Sequence, residues 1–228
     1  MGNVHEGHRD RMRDKFLKSG LDSMASHEVL EFLLFHSVPR QDTNEIAHNL
    51  MKTFGSLPAV LDAPYEELKK VDGVSKVTAT FIKFQLQLMR RYFSDKTELA
   101  TPIKSVSDCV NYLLGRYIGY DNEVASLLCM DNKCNVLGLE IICEGDIGSA
   151  VFSSRKIIET VIKYRATTAI LVHNHPGGIA LPSDDDIGAT KGVISALSHV
   201  NVLLLDHIII ADGDYVSLAQ SQEYKYLF

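Results

Sequence analysis

A change in the spacing of apolar residues near residue 100 divides this sequence into two parts that call for different folds. Up to residue 93, apolar side chains recur three and four positions apart, which is the spacing of amphipathic helices. Beyond a polar stretch at 94–105, short apolar runs alternate with amphipathic segments, as in strands joined by helices. We therefore predict an α/β (α+β) protein with an all-helical domain at 1–98, a linker, and an α/β domain at 103–228.

Proline and glycine residues interrupt the first part at several positions, so its helices are expected to be short. The predicted helices cover 28–35, 44–54, 65–71 and 76–93. In the second part the pattern predicts a hairpin, two helices and three further strands. Their ranges are 125–131 and 135–142 for the hairpin, 153–166 and 183–200 for the helices, and 168–172, 201–210 and 215–219 for the strands.

The composition is that of a globular chain with enough apolar residues to bury a core, since 46% of its 228 residues are hydrophobic. No apolar run approaches the roughly 20 residues of a membrane helix, and the N-terminus has no apolar stretch of the signal-peptide kind. The four cysteines form no CxxC pair, and Cys129 and Cys134 stand in apolar surroundings. We expect a cytoplasmic protein without membrane contact, whose buried thiols are structural.

Negative charge is concentrated in the second part of the chain. Residues 101–228 contain 9 basic and 15 acidic residues, so 9 − 15 gives −6, whereas residues 1–100 contain 14 of each. An acidic surface repels phosphate backbones, so we expect any nucleic-acid contact to fall to the N-terminal part.

Two histidines, His173 and His175, stand at the end of the predicted strand 168–172. Side chains two positions apart leave a strand on the same face, so both imidazoles can converge while Asn174 faces away. A Pro-Gly-Gly turn follows, and the first turn of the next predicted helix presents Asp186. Two imidazoles and one carboxylate leave the fourth position of a tetrahedral zinc ion to water, which is typical of catalytic zinc sites.

The same segment also has a purely structural interpretation. Ser183 and Asp186 have the spacing of a capping box, which would stabilise the helix by about 0.5–2 kcal/mol without any metal. Acidic residues also suit the positive end of a helix dipole, and an HxH pair alone is a weak signal. The two interpretations are compatible, because a cap can fix the carboxylate that binds a metal. The order of strand, HxH, sharp turn and acidic helix start favours the metal site.

The segment matches a known signature as well. HNHP, the eleven-residue spacing from His175 to Asp186, and a serine three residues before that aspartate resemble the HxH…SxxD signature of JAMM-type (JAB/MPN) metalloproteases, and more closely the RadC family. The similarity to RadC covers nearly the whole chain, including SLLCMDNKCNV, LLLDHIII and FLLFHSVPRQDTNEIAHNLMKTFGS. It implies a cytidine-deaminase-like α/β/α (MPN) fold for the second part and a helix-hairpin-helix-like element in the first.

The resemblance also implies an activity. His173, His175 and Asp186 would hold one Zn²⁺ per chain, and the enzyme would be a zinc metallopeptidase that hydrolyses a peptide or isopeptide bond in a protein or peptide substrate. Zinc follows from the ligand types and the resemblance, although the same ligands also suit manganese or iron.

Two further catalytic residues are implied by the same family. A glutamate from an earlier strand would act as general base, and Glu123 in EVASLLCMD has the matching place. Glu140 and Glu144 are alternatives that the pattern leaves open. Ser183 would help to stabilise the developing oxyanion.

His207 lies in the very apolar strand 201–210, next to Asp206. We interpret it as a core or interface histidine rather than a catalytic one. The strand could belong to the core or to a homodimer interface, which leaves the oligomeric state open.

The segment at 69–84, KKVDGVSKVTATFIKF, resembles a helix-hairpin-helix, which binds DNA phosphates through the backbone amides of a glycine-rich hairpin. Gly73 matches the first glycine, Ser75 replaces the second, and Lys76 offers a nearby cation. The alternative function is accordingly a DNA-associated repair or recombination factor with a non-catalytic metal site. A protein-binding or purely structural role is an equal interpretation of this segment, because the first part is neutral overall.

Overall fold

The computed structural model describes residues 4–39, 41–97, 102–145, 153–211 and 213–228. The chain divides into two compact units, Met1–Met89 and Arg90–Phe228. The prediction of a helical first part followed by an α/β second part is confirmed. The domain limits 1–98 and 103–228 stay a prediction.

The first unit is built from helices, and all but the first of them share one apolar core. They are α1 (Val4–Ser19), α2 (Ser26–Leu34), α3 (Thr43–Phe54), α4 (Leu57–Asp62), α5 (Tyr65–Leu68) and the first part of α6 (Lys76–Thr97). Side chains cap several of the starts: Asp42 accepts from the Asn44 amide at 2.9 Å, and Ser56 accepts from the Ala59 amide at 3.2 Å. Apolar side chains three or four positions apart, such as Leu30 and Leu34, reach the core as the spacing predicts. Met12 of α1 packs in a separate cluster with Met24 and Phe35.

The second unit is a five-stranded sheet with helices on both faces. Its elements are α7 (Val106–Tyr117), β1 (Val124–Met130), β2 (Val136–Glu144), α8 (Ser154–Tyr164), β3 (Thr168–Asn174), α9 (Asp184–Ser198), β4 (Leu203–Ala211) and β5 (Asp214–Ser217). The strand order is β2-β1-β3-β4-β5, with β3 and β4 parallel and the other pairs antiparallel. All the predicted helices and strands of this part are present, with ends that differ by a few residues.

Alternating side chains of the central strands separate two apolar layers. Leu127 and Leu171 face α8 and α9, whereas Leu128 and Val172 face α7. This is the three-layer α/β/α arrangement that the resemblance implies. Strand β4 pairs with a neighbour on each side and is buried along most of its length, so the apolar segment 201–210 belongs to the core.

Helix α7 is absent from the sequence-based prediction, although its signals are present. The Ser105 hydroxyl caps it by accepting from the Asp108 amide at 3.1 Å. Val110, Leu113 and Tyr117 then follow at helical spacing and are buried against the sheet.

Residues 94–97 fall in the predicted linker, but they form the last turn of α6. The Arg116 guanidinium donates to the Ser94 carbonyl at 3.1 Å, which satisfies a carbonyl near the end of the helix. Because this donor comes from α7, local sequence does not reveal it. Residues 98–101 of the predicted linker lie outside the described residues.

Two of the four thiols, those of Cys109 and Cys129, are buried. All four cysteines are free, and burial raises the pKa of Cys129 to about 12, which keeps that thiol protonated and unreactive. Cys134 is half-buried, and no cysteine joins a potential metal-binding group among the described residues. Of the helices that the structure describes, none combines the length and apolar character needed to cross a membrane.

The turn between α5 and α6 depends on Gly73 for two reasons. Its φ is +82°, and a Cβ there would lie 2.7 Å from Cγ1 of Ile46 in α3. Ser75 caps α6, because its hydroxyl accepts from the Thr78 amide at 3.1 Å. Both residues therefore have structural roles in this turn, and the helix-hairpin-helix-like element stays a prediction.

Replacing Gly73 by alanine is expected to lower the free energy of unfolding more than replacing Gly55. Gly55 has nearly the same φ, +85°, but no atom within 4 Å of its missing Cβ, so only the backbone cost of about 1–2 kcal/mol applies there. At Gly73 the crowding of Ile46 adds about 1–3 kcal/mol. Urea denaturation followed by circular dichroism measures both variants, and equal losses would contradict this account of Gly73.

Candidate metal centre

Three potential ligands meet where β3 ends and α9 begins. His173 is the penultimate residue of β3, His175 follows the strand, and Asp186 lies in the first turn of α9. The amide of His175 donates to the Ile210 carbonyl at 2.8 Å, which continues the pairing with β4 and keeps both imidazoles on one face. His173 and Asp186 are buried, and the His175 side chain is 17% exposed, so the group opens to solvent on the His175 side.

The donor atoms are spaced as a small metal ion requires. Nε2 of His173 lies 2.7 Å from Nε2 of His175 and 3.1 Å from Oδ1 of Asp186. Nε2 of His175 lies 3.5 Å from Oδ2 of Asp186. Metal–ligand bonds of about 2.0–2.1 Å in a tetrahedron place neighbouring donors about 3.3–3.4 Å apart. The observed distances fall on both sides of that value, so one ion can contact both Nε2 atoms and the Asp186 carboxylate.

The capping box at the start of α9 fixes the carboxylate of Asp186. The amide and the hydroxyl of Ser183 both donate to Oδ2 at 2.7 Å, and the Ser183 hydroxyl accepts from the Asp186 amide at 3.2 Å. Burial opposes ionisation of Asp186, whereas the hydrogen bonds from Ser183 favour the carboxylate and act to lower its pKa. The structural and metal-binding interpretations of this segment are therefore satisfied by the same geometry.

The loop after β3 sets the tautomer of His175. Its Nδ1 lies 3.0 Å from the carbonyl oxygen of Ile179. A carbonyl can only accept, so Nδ1 carries the proton. In the neutral ring Nε2 then carries an unshared lone pair, which points toward Nε2 of His173 and the carboxylate of Asp186.

A buried chain of hydrogen bonds sets the tautomer of His173 in the same way. The Thr190 hydroxyl donates to the backbone carbonyl of Asp186 at 2.6 Å, which uses its one proton. Nδ1 of His207, at 2.6 Å from the same hydroxyl, must therefore be the donor. Its Nε2 then accepts from Nδ1 of His173 at 2.7 Å, and Nε2 of His173 is left as a lone pair.

His207 supports this assignment because it is held neutral. The ring is fully buried, and burial together with the neighbouring His173 lowers its pKa well below the ordinary value. Two lone pairs and a carboxylate thus face one point, and such a donor set needs a cation. The residues present fit a divalent metal ion with two imidazole ligands and one carboxylate ligand.

Glu123 lies at the end of β1 that is nearest the histidines. It directly precedes β1, in which Ala125 pairs with His173. The pairing of β1 with β3 ends at this pair, so Glu123 stands two residues before the partner of His173.

Asn174 holds the backbone on both sides of Glu123. Its Nδ2 donates to the Asn122 carbonyl at 3.1 Å, and its Oδ1 accepts from the Val124 amide at 2.7 Å. The Glu123 carbonyl also accepts from Gly145 at 2.8 Å. Asn174 faces away from the histidines, as predicted, and there it positions the strand end that carries Glu123.

The two other glutamates are placed differently. Glu140 is on the histidine face but pairs with Leu127, farther along β1, and its carboxylate binds Lys163 at 2.7 Å and Tyr164 at 3.0 Å. Glu144 pairs with Val124, which faces the α7 layer. Of the three, Glu123 alone adjoins β1 in the chain, two residues before the partner of His173, and its role as general base stays a prediction.

The remaining predicted residues form no part of this group. Gly73, Ser75 and Lys76 belong to the α5–α6 turn of the first unit. Lys69 and Lys70 there pair with Glu66 and Glu67 on the helix surface. The basic residues of the turn are thus partly balanced by neighbouring carboxylates.

Sequence reasoning missed the supporting roles of Thr190, His207 and Asn174. The prediction of a core histidine at 207 is confirmed, but its bond to His173 depends on the parallel pairing of β3 with β4. The available signal was a polar residue in an otherwise apolar strand, which calls for a buried partner.

Comparisons with known proteins agree with this geometry. The RadC-like JAB domain family matches residues 103–224, and the UPF0758 N-terminal family matches residues 5–80. This chain belongs to the RadC family. The RadC-like match contains the histidines, Asp186, Ser183 and Glu123.

Curated relatives resemble this RadC chain over nearly their whole length. A UPF0758 protein of Fusobacterium nucleatum is 32% identical, over 95% of this chain and 96% of its own. UPF0758 proteins of Nitrosococcus oceani and Tolumonas auensis are 32% and 33% identical, over 95% and 92% of this chain and 95% and 94% of their own. The helical and α/β parts therefore occur together in these relatives.

Replacing Thr190 by valine is expected to change the protonation of the histidine chain. Without the hydroxyl, Nδ1 of His207 loses its acceptor, so the proton shifts to Nε2 and reverses the bond to His173. Long-range ¹H–¹⁵N NMR of metal-free protein distinguishes the two tautomers. Thr190→Ser should keep the wild-type pattern, and an unchanged His207 tautomer in Thr190→Val would contradict the assignment.

Proposed function

We propose that this RadC protein is a zinc-dependent metallopeptidase or isopeptidase that hydrolyses an amide bond in a protein or peptide. The observation that carries the proposal is the convergence of two imidazole lone pairs and one carboxylate beside a glutamate-bearing strand end. Membership of a JAB-domain family supports the same chemistry.

The donor set is the reason for choosing zinc. Two histidines and one carboxylate are typical of catalytic zinc sites, in which the fourth position belongs to water. Bound there, zinc lowers the pKa of that water toward neutrality and polarises the scissile carbonyl. His175 would leave this position accessible, because the group opens to solvent beside it.

Glu123 would act as the general base. At the end of β1 nearest the histidines, its carboxylate can take a proton from the attacking water and deliver it to the departing amine nitrogen. Asn174 would keep the strand end in place during both transfers, through its bonds on either side of Glu123.

Ser183 would assist at the oxyanion. Its hydroxyl donates to Asp186 in this structure, so it must turn toward the substrate oxygen when negative charge develops there. The Ser183 amide still donates to the same carboxylate oxygen, which leaves Asp186 fixed while the hydroxyl turns.

Measurements of zinc content and of peptide hydrolysis should distinguish the residues that bind zinc from the general base. Mass spectrometry of tag-free protein is expected to find about one zinc per chain in the wild type and none in His173→Ala/His175→Ala. Glu123→Gln should keep the zinc but cleave a synthetic peptide library about 10²–10⁴-fold more slowly.

Glu140→Gln is the matched control, because Glu140 is engaged with Lys163 on α8. It should retain both the zinc and the hydrolysis. A wild-type protein that fails to take up zinc on titration would overturn the metal site. A Glu123→Gln variant as active as the wild type would remove Glu123 from the reaction.

A second candidate function is DNA binding by the first unit in repair or recombination. The observation that favours it is the turn between α5 and α6, in which Gly73 adopts a positive φ before the start of a long helix. Backbone amides at such a start can bind phosphate. The balanced charges around the turn weaken this candidate relative to hydrolysis.

DNA binding by the full chain would depend on Lys76 and on salt. Fluorescence anisotropy with a labelled duplex should show an affinity that falls steeply with salt and is lost in Lys76→Glu. Lys52→Glu makes the same charge change at an exposed position in α3 and should have a smaller effect. Absent or salt-insensitive binding would discard this function.

A further inference from the structure

Strand β5 leaves one edge of the sheet unpaired. It is the last strand in the order, and among the described residues it pairs with β4 alone. On its outer edge the Tyr215 amide donates to Asp214 Oδ1 at 2.8 Å and the Ser217 carbonyl accepts from the Ser221 amide at 3.1 Å. The Tyr215 carbonyl and the Ser217 amide remain as outward backbone groups that can pair with an added strand. With four residues, β5 offers an edge of about 13 Å.

A groove lies along this edge. Its volume is about 710 Å³, within the range of natural ligand sites. It is lined by Leu181 and Pro182, by β5, and by Gln220, Ser221, Glu223 and Tyr224 of the C-terminal segment. Leu181 is 61% exposed, which is high for a leucine and provides an apolar contact surface.

The segment that contributes Leu181 and Pro182 to the groove also contacts the candidate metal centre. Pro182 directly precedes Ser183, which holds Asp186, and the carbonyl of nearby Ile179 holds His175. The strand register also relates β5 to the histidines. Ile209 of β4 pairs with His173 on one side and with Val216 of β5 on the other. Val216 therefore shares the sheet face of the histidines.

Carboxylates determine the charge of the groove. Asp214 and Glu223 line it and are exposed, and its described lining contains no lysine, arginine or histidine. Loss of hydration, followed by Glu223 and Asp184, raises the pKa of Tyr224 in the groove wall. The exposed start of α9 thus adds its own negative charge to the same region.

We propose that this groove binds an extended, basic segment of the polypeptide substrate, which pairs with the Tyr215 carbonyl and the Ser217 amide at the outer edge of β5. The inference rests on the proposed hydrolase function and names the class of substrate. Lysine or arginine side chains would lie beside Asp214 and Glu223, and alternate apolar side chains would contact Val216 and Leu181. The adjoining chain would then continue toward His175.

The same charges argue against other occupants. Two copies of β5 paired edge to edge would bring Asp214 and Glu223 of both chains together, and like charges at a strand edge oppose such pairing. Nucleic acid would be repelled by the acidic rim. A basic peptide could form backbone hydrogen bonds with β5 and would also be attracted by the carboxylates of the groove.

Two labelled hexapeptides of alternating sequence, Lys-Val and Glu-Val, test the proposal by fluorescence anisotropy with the full chain. The lysine peptide should bind about tenfold more tightly at low salt, and Asp214→Lys/Glu223→Lys should remove this preference. Glu144→Lys/Glu159→Lys makes the same charge change on β2 and α8 and should preserve it. N-methylation of alternate peptide amides should abolish binding, because it removes the donors that pair with β5.

Binding is measured both with zinc and after treatment with EDTA, which separates this inference from the proposed hydrolysis. Retained lysine-peptide binding without metal supports the groove even if no cleavage is ever found. Equal binding of the two peptides, no binding of either, or an unchanged Asp214→Lys/Glu223→Lys variant would overturn the proposal. A concentration-dependent dimer that this variant abolishes would assign the edge to a second copy instead.

Discussion

Asp186 is connected to His173 by two routes, and the geometry of the metal centre depends on both. Its carboxylate faces Nε2 of the histidine directly, at 3.1 Å. Its backbone carbonyl begins the chain that runs through Thr190 and His207 to Nδ1 of the same ring. The start of α9 therefore fixes the position of one ligand and the proton arrangement of another.

A closed network of this kind is stable only if every member has a partner. Within the part of the chain that the structure describes, no buried side-chain nitrogen or oxygen lacks one. Removing one partner from such a network leaves a buried donor or acceptor unsatisfied, at a cost of about 1–3 kcal/mol. A nearby structural carboxylate follows the same rule: buried Asp206 accepts from Ser217, His207 and Ala219, which ties β4 to β5 and the residues after it.

Local patterns were sufficient to predict the ligands and most of the elements. His173 and His175 follow from strand alternation, and Asp186 follows from the capping spacing with Ser183, because these relations span only a few residues. The length of α6 and the bond between His173 and His207 depend on contacts between distant segments, which local spacing does not encode. Helix α7 is different, because its cap and apolar spacing were present in the sequence.

The loop after β3 serves two neighbouring features at once. The Ile179 carbonyl orients His175, and Leu181, two residues later, forms a wall of the groove along β5. Any molecule that moves this loop also moves the acceptor that fixes the His175 lone pair. Thermodynamic linkage then requires reciprocity: occupation of the groove and occupation of the metal centre change each other's affinity by the same factor. If the groove and the metal centre are occupied as proposed, this loop would couple polypeptide binding to the affinity for the ion.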